Sequence, residues 1–185
     1  MPYLIILVVI IVIGIFIASI YNKLVRLRNG VKSAWSDIDV YLKKRYNLIP
    51  GLVETVKGYA SHEKEVFEKV SEARSRAMQA VSPNDAARSD NMLKDTLKSL
   101  FAVAEAYPEL KANQNFLEFQ KQFQEIEDSI ESARRYYNAV VRDFNILIES
   151  FPSNIIASMF NFKQEEFFEL ENEEERKPIR PDFKS

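Results

Sequence analysis

Apolar residues fill one unbroken run at the start of the chain and recur at helical spacing through most of the rest. Tyr3 to Ile20 reads YLIILVVIIVIGIFIASI, without a charge, and fourteen of these eighteen residues are Ile, Leu, Val or Phe. At about −0.3 to −0.6 kcal/mol each, they favour insertion into a bilayer by roughly 4–8 kcal/mol. At 1.5 Å per residue the run is about 27 Å long, close to the thickness of the hydrocarbon core. It is apolar on every face, which a core helix of so small a protein would not be. A cleaved signal peptide fits poorly, because no Lys or Arg precedes the run and no A-x-A site follows it. The pattern predicts a transmembrane anchor over residues 1–21, with Tyr3 and Tyr21 at the two interfaces.

Beyond the anchor, steps of three and four residues dominate. Phe116, Phe119, Phe123, Ile126, Ile130, Ala133, Tyr137, Val140, Phe144, Leu147 and Phe151 form a heptad-like stripe, which predicts one long helix with a coiled-coil type face. Asn115 and Glu118 match a capping box at its start, and Pro152 stops it. Leu24, Val31, Ala34, Ile38, Leu42 and Arg45 mark a helix leaving the membrane. Trp35 adjoins that stripe and is expected to pack partly inside. Val53, Val56, Ala60, Phe67, Val70 and Ala77 mark the next helix, with Pro50 between the two as a turn or a kink. Gly58 costs its helix about 1 kcal/mol relative to Ala, which allows a local break with Ser61 as a cap. Val81 to Asp90 (VSPNDAARSD) reads as the clearest loop. A shorter helix follows, with Leu93, Leu97, Leu100, Ala104 and Tyr107 inward and Pro108 at its end.

The two arms on either side of that loop are of nearly equal length, about 90 Å each if fully helical. They predict an all-α fold, in which the N-terminal transmembrane helix is followed by an antiparallel, four-helix up-and-down type bundle with breaks at Pro50 and Pro108. The expected organisation is an anchor over 1–21, a bundle over 22–168 and an acidic, disordered tail over 169–185. In that scheme Met159, Phe160, Phe162, Phe167 and Phe168 are too apolar for a solvated linker and cover the end of their own bundle or else meet a partner, which the neighbouring acidic run would steer; direct membrane docking ranks last, because anionic lipid repels that run.

Charge adds orientation. Lys23, Arg26, Arg28 and Lys32 follow the anchor with no acidic residue before Asp37, whereas Met1-Pro2 is all that precedes it. The bias places the N-terminus outside and the C-terminal domain in the cytoplasm of a single-pass cell-membrane protein. A net charge of −2 gives no sign of nucleic-acid binding. The absence of cysteine removes disulfides, thiolate catalysis and Cys-ligated metal.

Four segments carry a resemblance to a known family. Ala34 to Arg74 (AWSDIDVYLKKRYNLIPGLVETVKGYASHEKEVFEKVSEAR), Ala102 to Phe116 (AVAEAYPELKANQNF), Ala133 to Val141 (ARRYYNAVV) and Phe151 to Phe162 (FPSNIIASMFNF) closely resemble the LemA family of bacterial and archaeal membrane proteins. The likeness runs in order from Tyr21 to about Phe168. It implies an N-terminal anchor, a helical bundle and no established enzymatic activity. The family usually has Gln at Tyr41, Asn at Gly51 and Gly at Asn161. These departures affect the start of the expected second helix and the turn between Phe160 and Phe162.

Candidate chemistry is sparse. His62-Glu63 opens like a metalloprotease motif, but the second His would have to stand at Val66. A di-iron site needs Glu three residues before His62, where Tyr59 stands. The His62–Glu65 spacing offers a weak metal site at most, and an exposed or capping histidine is preferred. No G-x-S-x-G or phosphate-cradling Gly loop occurs. Glu63, Glu65, Glu68 and Glu72 interleave with Lys64, Lys69 and Arg74 as a solvated face, and Lys43, Lys44 and Arg45 read likewise. Asn113 and Asn115 stand beside Glu105 and Tyr107, either as turn-makers or as a recognition site. The candidate binding residues are therefore His62, Glu63, Asn113, Asn115, Phe160 and Phe162, with no catalytic residue, metal or cofactor. Expected partners are membrane lipid along Tyr3–Ile20 and an unidentified membrane or cytoplasmic protein, with self-association possible and no nucleic acid. The reading is a non-enzymatic interaction or scaffold module at the inner face of the membrane. The alternatives are a ligand-sensing bundle and a hydrolase with an unrecognised carboxylate site.

Overall fold

A computed structural model describes residues 1–168. The expected acidic tail, 169–185, lies outside them. Among the described residues the fold is all-α: α1 (Pro2–Lys57), α2 (Lys64–Met78), α3 (Pro83–Glu105), the single turn α4 (Pro108–Lys111), α5 (Gln114–Glu149) and α6 (Ser153–Met159). Residues 162–168 then run back along α5 without helical structure.

α1 is one helix from the apolar run to Lys57, so Pro50 neither turns it nor ends it. Proline has no N–H for the carbonyl four residues earlier. That carbonyl belongs to Tyr46, and the Arg74 Nε–H from α2 donates to it at 2.8 Å. A side chain from the neighbouring helix thus replaces the missing backbone bond. Gly51 is not the start of a second helix either. Its missing side chain admits the Phe119 ring of α5, whose Cζ would stand 2.8 Å from a Cβ placed there. The break comes instead after Gly58, where Tyr59 and Ala60 both donate to the Val56 carbonyl. Ser61 caps nothing; α2 begins after Glu63.

Two other boundaries differ from expectation. Most of Val81–Asp90 is helix, because Ser82 caps α3 by accepting from the Asp85 N–H at 3.1 Å and Pro83 occupies the first helical position. α5 is capped by Asn113, not Asn115: the Asn113 Oδ1 accepts from the Phe116 N–H at 3.2 Å.

The stripe along α5 divides into two ranks. Phe116, Phe123, Ile130, Tyr137 and Phe144, seven apart, are buried. Phe119, Ile126, Ala133, Val140 and Leu147, in between, are half-buried. Only Phe151 escapes, at 80% exposure beyond the helix end. α1 answers with Leu24, Val31, Ile38, Arg45 and Leu52, also seven apart and buried. The two helices run antiparallel, with Gly30 beside Val140, Arg45 beside Glu127 and Gly51 beside Phe119.

The α2–α3 hairpin packs on the distal half of this pair, which makes that half a four-helix, up-and-down bundle. The hairpin's tip, with Ala77, Met78 and Ala80, reaches the level of Trp35. Closer to the membrane the returning segment takes over. Asn145 donates to the Glu165 carbonyl at 2.9 Å and accepts from the Glu165 N–H at 3.0 Å. Asn138 does the same at Phe168, at 3.1 and 2.9 Å. Tyr137 Oη donates to the Glu166 carbonyl at 2.8 Å; burial, with Glu165 and Glu166 nearby, pushes its pKa up to about 12. Phe162 and Phe168 are buried under this strap, and half-buried Trp35 meets the rings of Tyr137 and Phe168. Of the five apolar residues expected to cover the bundle's end, Phe162 and Phe168 do so, whereas Met159, Phe160 and Phe167 stay exposed.

Candidate functional site

The bundle's centre holds charge. Arg45 is 1% exposed and Asp90 is fully buried, and the two form an ion pair between α1 and α3. Arg45 Nη1 also donates to Glu127 Oε2 on α5 at 2.9 Å. Lys94, one turn along α3 from Asp90, pairs with Glu127 and stands 3.7 Å from Asp90 Oδ2. Two cations and two carboxylates therefore tie three helices together with no net charge. Burial lowers the Arg45 pKa, opposed by Glu127. Burial pushes Glu127 up, but the hydrogen bond and charge of Lys94, joined by Arg45, outweigh it and leave the carboxyl below its ordinary value.

Beside the network opens a cleft of about 440 Å³, lined by Arg45, Lys94, Phe101, Phe123, Gln124 and Glu127 among others. Phe101 meets the rings of Phe116 and Phe123, each at 6.0 Å between centroids. The cleft thus has an aromatic floor and a polar rim of both signs. Arg45 belongs to this network and not to a solvated basic cluster. Asp90, Lys94 and Glu127 escaped the sequence reading. Their only signal was the cation on an otherwise apolar stripe, which demanded a buried carboxylate somewhere.

The residues singled out from sequence fall at the two ends of the bundle. At the distal end, Asn113 Nδ2 donates to Tyr59 Oη at 3.0 Å, which joins the α4–α5 turn to the α1–α2 connection. His62 is exposed on that connection, Glu63 is half-buried at the start of α2, and Asn115 is exposed on the first turn of α5. Asn113 is a turn-maker. At the membrane end, Phe160 and Phe162 meet Tyr21 at 4.7 and 5.9 Å between centroids, and Arg28 lies 5.0 Å over the Phe162 ring. Asn161 between them has φ 59°, the left-handed region that Gly or Asn accepts most readily. The turn closes as a Schellman motif, Phe162 donating to Ala157 at 2.9 Å and Asn161 to Ser158 at 3.2 Å. Asparagine thus preserves the turn for which the family's usual glycine is suited.

Residues 34–183 match the profile of the LemA family. The chain belongs to the LemA family. Protein LemA of Metamycoplasma hominis is 29% identical over 140 residues, which cover 74% of this chain and 63% of that protein. Magnetosome protein MamQ 2 of Paramagnetospirillum magneticum is 25% identical over 183 residues, covering 83% of this chain and 67% of the relative. Magnetosome protein MamQ of Magnetospirillum gryphiswaldense is 22% identical over 174 residues, covering 80% and 64%. The chain thus spans about two thirds of the length of the curated relatives it matches. With its apolar helix exposed on all sides at the N-terminus, this LemA family chain is a membrane-anchored helical protein.

Proposed function

We propose that the chain is a non-enzymatic, membrane-tethered interaction module, with its bundle at the cytoplasmic face presenting a rigid surface to other proteins. The observation that carries this reading is α1 itself. One unbroken helix is at once the membrane span and a full-length stave of the bundle, so the bundle's surface is held at a fixed height above the membrane. Lys23, Arg26, Arg28 and Lys32 after the span support the cytoplasmic side. The relatives' names denote a magnetosome or the family, not a reaction. The test is crosslinking in native membranes followed by affinity capture of the full chain. A protein enriched reproducibly, and lost when exposed side chains of the distal half are changed, supports the module. Turnover by the purified protein, or recovery of nothing but the chain itself, overturns it.

The cleft supports a second reading, a bundle that senses a small ligand. An aromatic floor with Lys94 and Glu127 at its rim suits an amphipathic molecule bearing a charged group. In that case a ligand raises the melting temperature of the wild type and not that of a Phe101→Ala variant.

A further inference from the structure

Outside the span, the turn from α5 into α6 stands out among the described residues for its exposed apolar side chains. From Ser150 to Phe162 there are thirteen residues without a charge, in a chain that is 28% charged. Ser153, Ile156 and Ala157 face the bundle and are buried. The outward side should then be polar, yet it carries Ile155 and Met159, one helical turn apart, flanked by Phe151 and Phe160. Their exposures are 54, 67, 80 and 47%. Such a contiguous apolar face on a soluble surface marks an interaction site.

The position of this face says what covers it. The antiparallel register of α1 and α5 sets Glu149 level with Tyr21, the residue at which the apolar span ends. The rings of Phe160 and Phe162 packed on Tyr21 hold α6 at that same level. The contact reaches into the span as well. Val8 to Phe16 are all at least half exposed wherever a large side chain occurs, whereas Ile17 and Ile20 are half-buried against the bundle. Ile17 lies about 4.5 Å below Ile20 along the helix. An amphipathic element at an interface buries its apolar face about 5–10 Å into the boundary between headgroups and acyl chains. Depth and chemistry agree. Exposed Lys23 and Arg26 stand at the same level, where lipid phosphates lie.

We propose that the α5–α6 corner is a foot that inserts Phe151, Ile155, Met159 and Phe160 into the lipid interface beside the span. The occupant of this face is the bilayer that already holds the anchor, and the proposal rests on that anchor. The foot gives the bundle a second attachment point and fixes its rotation about the axis of α1. As far as Phe168, the strap carries the chain from Phe162 back along α5, away from the membrane.

The chain has no cysteine, so single cysteines report cleanly. Full-length Ile155→Cys, Met159→Cys, Val9→Cys and Asp95→Cys variants are labelled with an environment-sensitive fluorophore. They are reconstituted in vesicles of phosphatidylcholine with a minority of phosphatidylglycerol. Labels at 155 and 159 should shift to the blue and lose most of their emission to lipids carrying a nitroxide near the headgroup. The label at 9 should be quenched by a deep nitroxide, and the label at 95 by neither. Quenching at 9 with positions 155 and 159 behaving like 95 overturns the foot alone. Loss of quenching at 9 as well overturns the anchor and the foot together. A blue shift at 155 and 159 without lipid quenching hands the face to a second copy or another protein, and also overturns it.

Discussion

Two side chains show how single residues hold this bundle. Pro50 leaves the Tyr46 carbonyl without its backbone donor, and Arg74 supplies one from α2. A hydrogen bond from a charged donor is worth about 1.5–3 kcal/mol when its acceptor is otherwise unpaired. Arg74→Met should therefore destabilise the domain by about 2 kcal/mol, and by clearly less in a Pro50→Ala background, where residue 50 regains its N–H. Equal costs in both backgrounds, measured by denaturant unfolding, would show that Arg74 does not serve this carbonyl. Glu127 supports a pH prediction. Its pKa is lowered in the folded state, so its contribution is present above the ordinary carboxylate value of 4.5 and is lost as pH falls through the lower, folded value. The stability gap between wild type and Glu127→Gln should accordingly be widest near neutrality and narrow below about pH 4.5. A gap independent of pH would remove Glu127 from the ionic network. Sequence shows Arg45 on an apolar stripe but gives no means of finding its partners. Glu127 is 82 positions away, and periodicity describes one helix at a time.

Among the elements, the long α5 was legible because ten apolar positions from Phe116 to Leu147 recur along it without a miss, and its two ranks of burial follow the heptad. Boundaries were less so. Pro50 reads as a break in any sequence, since the donor that rescues the helix lies on another element. Ser82-Pro83 reads as loop from its turn-forming residues, whereas the cap bond makes it a helix start. The strap over 162–168 left no periodic trace. Its signal was Asn138 and Asn145, two amides seven apart beside the stripe, each of which grips a backbone N–H and carbonyl. This pairing makes the strap part of the stable fold. Truncation after Glu149 removes α6, Phe162 and Phe168 and should destabilise the bundle by several kcal/mol, as the loss of buried aromatics does. Truncation after Leu170 keeps all of them and should melt with the full chain. Asn138→Ala with Asn145→Ala, which deletes four hydrogen bonds at about 1 kcal/mol each, should fall between the two. If the shorter truncation melts like the full chain, the strap is no part of the core.

At the scale of the whole molecule, the anchor and the bundle are not two objects on a linker. A linker would let the bundle tumble beneath the membrane. A helix continuous from Pro2 to Lys57 carries the distal tip some 55 Å from the end of the span, at 1.5 Å per residue. The cytoplasmic side proposed for this stave rests on charge. Lys23 and Arg26 are exposed on α1 just past Ile20, and Arg28 and Lys32 follow within three further turns. A cytoplasmic bundle places Asp95, exposed on α3, out of reach of a membrane-impermeant thiol reagent. Asp95→Cys should remain unlabelled in intact cells and become labelled once they are permeabilised. Because the bias resides in a few exposed cations, it is also movable. Lys23→Glu with Arg26→Glu, combined with lysines added before Tyr3, should expose the same cysteine in intact cells in a substantial share of molecules. Labelling of the unaltered bundle from outside would reverse the assignment, and the charges after the span would then serve the outer headgroups instead.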